Sequence, residues 1–145
     1  MALDADKEAL EFISGHRVAH LATVDARGRP AVLPICYVFD GERIYSAIDE
    51  KKKGVADRKL RRVRNIEANS YVSLVVDDYS EDWSRLVYVL VSGSAEIIMP
   101  GPEHEGEHAL AVSLLRDKYP QYRSMAIESR PILKIMPLRI KRWLA

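Results

Sequence analysis

Residues 31–48 read AVLPICYVFDGERIYSAI: two apolar, β-branched-rich runs on either side of Asp40-Gly41. Asp-Gly between such runs is the strongest short hairpin signal available, because the glycine takes the positive φ that the turn demands. The stretch therefore predicts a strand over 31–39 and an antiparallel return over 43–48. Upstream, RVAHLATV (17–24) is short, mostly apolar and bounded by turn residues, so it reads as a buried strand. DARGRP (25–30) is the turn between it and the hairpin, started by Asp25. DADKEALEFIS (4–14) is a short amphipathic helix that Asp4 or Asp6 can cap, and Gly15 ends it.

Downstream, DRKLRRVRNIEANS (57–70) places Leu60, Val63 and Ile66 near one helical face. YVSLVV (71–76) is a fourth strand, and DDYSEDWSR (77–85) is a polar loop. LVYVLVSGSAEII (86–98) is a long fifth strand, with Gly93 marking a bulge or bend. Pro100-Gly101-Pro102 breaks the chain, and EHALAVSLLRDKY (107–119) is a helix stopped by Pro120. ILKIMPLRIKRWL (132–144) is a last strand, kinked at Pro137. Six antiparallel-compatible strands with flanking helices predict a small closed barrel, mainly β. No repeat, linker or low-complexity tract divides residues 1–145, so one domain is expected.

Composition excludes several classes. The chain has 145 residues, 48% hydrophobic and 30% charged, which excludes a disordered chain. No apolar run approaches the roughly 18 residues of a membrane span. The start, MALDADKEALEF, is acidic where a secretory leader is basic, so the expected compartment is the cytoplasm. Cys36 is the single cysteine, which rules out an intrachain disulfide and a cysteine-based zinc cluster. It reads as a buried mid-strand thiol rather than a nucleophile. His104-Glu-Gly-Glu-His108 matches the zinc-protease pattern His-Glu-x-x-His. Gly106 interrupts that helix, and the other histidines, His16 and His20, lie far upstream, so no metal is expected. His20, between Ala19 and Leu21, is a wall histidine or a ligand contact.

Net charge is +1, but KKKGVADRKLRRVR (51–64) holds eight basic residues against Asp57 alone. That window carries +7 and the other 131 residues −6. Concentrated positive charge invites an anionic partner. Nucleic acid is disfavoured, because no aromatic residue for stacking lies between Tyr45 and Tyr71. Three lysines on a loop before a helix suit a phosphate ester better.

Several pieces together resemble the pyridoxamine 5′-phosphate oxidase-like split-barrel flavoproteins, and within them the oxidoreductases of the deazaflavin coenzyme F420. They are His20-Leu-Ala-Thr23-Val with Gly28-Arg-Pro30 and Pro34; Ile48-Asp49-Glu-Lys51-x-Lys53; Leu60-Arg-Arg-x-Arg-Asn65-Ile66; Val75-Val-Asp77-Asp-Tyr79-x-Glu-Asp82-Trp83-x-Arg85-Leu86; and Lys118-Tyr119-Pro120-Gln121-Tyr122. The fourth and fifth are the narrow ones. One departure stands out: Lys52 occupies a position that is proline in the family's Lys-Pro-Lys.

The resemblance implies a homodimeric six-stranded split β-barrel acting as an oxidoreductase, with the cofactor in a groove between subunits. Hydride would pass between F420 and a small, electron-poor organic substrate. It places Lys51 and Lys53 on the cofactor's phosphate, with Arg58 or Arg61 assisting. Pro34, Ile35, Cys36, Ala47 and Ile48 would form the wall against the ring, and His20 would contact ligand. Trp83, Arg85 and Trp143 would close the site from the partner subunit. FMN is the alternative cofactor, using the same lysines, with oxygen or a nicotinamide as co-substrate. A non-enzymatic flavin- or nucleic-acid-binding module using residues 51–64 is the alternative of another class.

Each charge-assisted hydrogen bond from Lys51 and Lys53 contributes roughly 1.5–3 kcal/mol. The double substitution Lys51→Ala/Lys53→Ala is therefore expected to weaken cofactor binding by about two orders of magnitude or more. Fluorescence titration of both proteins measures this.

Overall fold

The computed structural model describes residues 5–48 and 60–145. The elements are α1 (Lys7–Gly15), β1 (Val18–Val24), β2 (Pro30–Cys36), β3 (Val38–Phe39), β4 (Ile44–Ala47), α2 (Arg61–Ala68), β5 (Tyr71–Asp78), β6 (Val87–Ile98), α3 (Glu105–Lys118) and β7 (Ile132–Leu144). Short 3-10 turns cover Trp83–Arg85, Pro120–Ser124 and Ile127–Ser129. The strands form one antiparallel sheet in the order β2-β1-β5-β6-β7-β4-β3. No described helix is long and apolar enough to cross a membrane.

The strand expected over 31–39 is divided, so the described sheet has seven strands rather than six. β2 pairs with β1 and β3 pairs with β4, and the chain changes ladders at Tyr37. There the Tyr119 hydroxyl takes the place of a neighbouring strand. It accepts the Tyr37 N–H at 3.0 Å and lies 2.6 Å from the carbonyl oxygens of both Tyr37 and Arg17. The Tyr37 phenol donates to the Ile13 carbonyl of α1. Both backbone groups of Tyr37 are thus satisfied without a ladder. The sheet curls but does not close: among the described residues no ladder joins β2 to β4. The expected closed barrel is a split one.

Elsewhere the elements follow the local signals. Asp6 caps α1 by accepting the Ala9 N–H at 2.6 Å. Gly41 adopts φ +102° in the hairpin turn, and the Asp40 carboxylate accepts the N–H groups of Glu42 and Arg43. α2 spans Arg61–Ala68 within the helix expected over 57–70, and residues 57–59 of that span lie outside the described residues. The concave side of the sheet encloses one apolar cluster, including Leu21, Ile44, Leu74, Val89 and Leu133, into which α1 packs Ala9 and Ile13. α3 packs Ala111, Val112 and Leu115 on Tyr45, Ile98 and Ile132 in a second cluster. A polar tie fixes that helix: Tyr45 donates to Glu107 at 2.7 Å, and Lys134 meets Glu107 at 2.9 Å.

The break expected at Gly93 and the kink expected at Pro137 are one feature. Gly93 pairs with Pro137 while Ser92 pairs with Arg139, leaving Leu138 as the extra residue of a bulge. A Cβ on Gly93 would lie 2.5 Å from the Met136 carbonyl oxygen. Gly93→Ala must therefore push two strands apart, at a cost of about 1–3 kcal/mol. Urea denaturation is expected to show a lower midpoint at unchanged slope, and an unchanged midpoint would refute the close approach.

Candidate functional site

The split leaves a groove of about 220 Å³ between β2 and β4. Val18, Leu33, Pro34, Ile35 and Ala47 give it apolar walls, and Cys36, Ser46, Arg62 and Tyr122 give it polar points. β2 is an edge strand, so half of its main-chain donors and acceptors face away from β1. One bond crosses the gap, from the Ser46 hydroxyl to the Cys36 carbonyl at 2.7 Å. α2 is anchored below by Asn65, whose buried amide donates to Thr23 of β1 at 2.9 Å. That anchor brings Arg62, 8% exposed, to the floor of the groove. The described lining contains this one cation and no carboxylate.

Of the residues expected to form the ring wall, Pro34, Ile35, Cys36 and Ala47 converge here. Ile48 does not: it is fully buried, with its side chain in the main apolar cluster. Its N–H is taken by the Pro131 carbonyl at 3.0 Å. His20 is exposed, lies opposite Pro34 in the β1–β2 register and is not in the lining. Trp83 lies 68% exposed on its 3-10 turn beside Arg85, and Trp143 stacks on Tyr88 at 5.4 Å. None of these three lines the groove of its own chain. Lys51, Lys53 and Arg58 lie outside the described residues. Arg61 points to a different concavity, shared with Arg27, Arg29 and Arg64.

Arg62, Ser46 and Tyr122 were not expected in the site. Tyr122 carried a signal, since it ends the narrow Lys118–Tyr122 segment. Arg62 carried none, being one charge among eight in a basic run.

Behind the groove, the Lys118 amine donates to the His16 carbonyl and sits 4.2 Å from the centre of the Tyr37 ring. Burial, with help from Arg17, lowers its pKa from the ordinary 10.5 to about 8. Burial also pushes the Tyr119 phenol up to about 12. A larger concavity, about 490 Å³, runs along α3. Several of its polar groups are committed to structure: His108 bonds the Arg130 carbonyl at 2.7 Å, and Arg116 bonds the carbonyls of Tyr122 and Met125 and the Glu128 carboxylate. His108 is 4% exposed, and no group of three metal-binding side chains occurs among the described residues.

The described lining holds no paired nucleophile and base. Flat apolar walls, an edge strand's backbone and a single cation fit a planar heteroaromatic ring that brings its own chemistry.

A family model described as pyridoxamine 5′-phosphate oxidase matches residues 5–144. The 5a,11a-dehydrotetracycline/5a,11a-dehydrooxytetracycline reductase of Streptomyces rimosus is 27% identical over 103 residues, 70% of this chain and 70% of that protein. The conserved hypothetical protein Rv2991 of Mycobacterium tuberculosis shares the fold at a TM-score of 0.74 and 23% identity, over 98% of this chain and 86% of its own. A protein described as an F420 reductase shares it at 0.67 and 23%, over 94% and 98%.

Native-state stability should respond to Lys118. An unfolded chain keeps that proton up to about pH 10.5, whereas the folded one releases it near 8. The unfolded state binds more protons across that window, so this group's contribution to stability rises with pH there. NMR titration of the Lys118 side chain is expected to give a midpoint near 8. A midpoint at the ordinary lysine value would contradict the burial.

Proposed function

The chain belongs to the pyridoxamine 5′-phosphate oxidase family, and on that footing we propose that it is a flavin-dependent oxidoreductase holding the ring of FMN in the groove between β2 and β4. The observation that carries this reading is the convergence of Pro34, Ile35, Cys36 and Ala47 on a groove with a cation at its floor. When bound, the flavin supplies hydride transfer. The protein's part is to bind and orient. The apolar walls exclude water from the ring, and Arg62 favours the negative charge that a reduced ring carries. Lys51 and Lys53, with Arg58, take the phosphate, as the family resemblance implies.

A second reading keeps the groove and exchanges the ring for F420. It is favoured by the two narrow segments, Asp77–Leu86 and Lys118–Tyr122. The likeness in fold to a protein described as an F420 reductase agrees with it. In both readings the substrate is a small organic molecule with an electron-poor double bond.

A homodimer completes the site. The groove's 220 Å³ falls short of the roughly 300–1,000 Å³ of a full ligand pocket. Val32, Leu90, Leu138 and Trp143 are exposed apolar side chains on the sheet that a second copy would cover. Trp83, Arg85 and Trp143 of one copy then close the groove of the other.

Filling the groove with Cys36→Trp is expected to weaken FMN binding at least tenfold, whereas Ser113→Trp, in the concavity along α3, leaves it unchanged. Fluorescence titration, with circular dichroism to check folding, measures both. Tighter binding of F420 than of FMN decides for the second reading. Binding of neither cofactor overturns both, and light scattering showing a monomer at micromolar concentration overturns the dimer.

A further inference from the structure

The β1–β2 turn and α2 face each other across a concavity of about 420 Å³ lined by Asp25, Ala26, Arg27, Arg29, Arg61, Arg64, Asn65 and Ala68. Two arginines come from each wall. Asp25, the single carboxylate of the described lining, is already occupied: it accepts the backbone N–H groups of Arg27 and Arg29 at 2.8 and 2.9 Å, and the Arg29 Nε–H at 3.0 Å. Those bonds, led by the Arg29 amide, hold its pKa below the ordinary value. Arg27, Arg61 and Arg64 meet no carboxylate within ion-pair distance among the described residues. The lining therefore carries four positive charges against one negative, converging on one space.

Like charges held together raise the energy of the folded chain unless an anion offsets them. The arrangement is also not incidental to helix packing. Residues 61, 64, 65 and 68 form one face of α2, and Asn65 pins that helix to Thr23. Arg62 leaves the same helix in another direction, into the groove between β2 and β4. One helix thus serves two separate anion-favouring sites. Guanidinium groups on opposite walls suit an anion with several charged groups, each gripped by its own fork. The lining offers no aromatic platform on which a base could stack.

We infer that this arginine cleft is a binding subsite for a small, multiply charged anion, an oligophosphate or an oligocarboxylate, distinct from the ring groove. It does not rest on which ring the groove holds.

Calorimetric titration of the full chain, without flavin, with tripolyphosphate, citrate and inorganic phosphate tests this. Tripolyphosphate or citrate is expected to bind at least tenfold more tightly than inorganic phosphate, and whichever is preferred identifies the source of the charges. Arg61→Gln/Arg64→Gln, on one wall, and Arg27→Gln, on the other, are each expected to weaken the preferred anion about tenfold. Lys7→Gln, on α1, should leave it unchanged. Thermal unfolding checks that the variants fold. Equal affinity for phosphate and tripolyphosphate, or affinity indifferent to both arginine substitutions, overturns the proposal. A short oligothymidylate that binds more tightly than either small anion, and weakens in the same variants, replaces it with a nucleic-acid site.

Discussion

One hydroxyl group determines the shape of this protein. The Tyr119 phenol stands where a strand would otherwise pair with Tyr37, taking its N–H and lying against its carbonyl. Leaving such a buried N–H unpaired costs about 1–3 kcal/mol, so the hydroxyl can hold a strand off its ladder. β2 therefore stays with β1 while β3 turns to β4, and the sheet stops short of closure. The opening that results is the groove. Tyr119 sits at the C-terminal cap of α3, whose position the Tyr45–Glu107–Lys134 tie maintains, so helix, break and groove are mechanically one unit.

This dependence explains what was legible in the sequence and what was not. Local chemistry announced itself: Asp40-Gly41 specified its hairpin, Asp6 its cap, and Gly93 with Pro137 the bulge. The division of residues 31–39 did not, because its cause lies 82 residues away in Tyr119. A continuous apolar run reads as one strand whether or not it changes partners at Tyr37. The residues expected to form one wall come together in part. Pro34, Ile35, Cys36 and Ala47 meet at the groove, whereas Ile48 is fully buried in the main apolar cluster. Arg62 was hidden because a helix in a basic run offers arginines in every direction, and only the Asn65–Thr23 anchor settles which one enters the groove. The zinc-like His104–His108 motif shows the opposite failure. Its letters match, yet His108 is turned into the protein and spent on the Arg130 carbonyl.

Charge is distributed to the same end. The acidic majority of the chain surrounds one basic window, and the structure separates the described part of that window by helical direction rather than by sequence. Arg62, 8% exposed, enters a groove whose other walls are mostly apolar. Arg61 and Arg64 meet Arg27 and Arg29 at an open surface, where several weaker, water-screened contacts act together. α2 can serve both environments because successive residues of a helix are turned by about 100°.

The central claim is that the split made by Tyr37 and Tyr119 is the cofactor site. The most direct test is a crystal structure of the protein with FMN bound. The account predicts the ring against Pro34, Ile35, Cys36 and Ala47, with Arg62 at its edge. A ring seated instead in the concavity along α3, or outside the gap between β2 and β4, would contradict it.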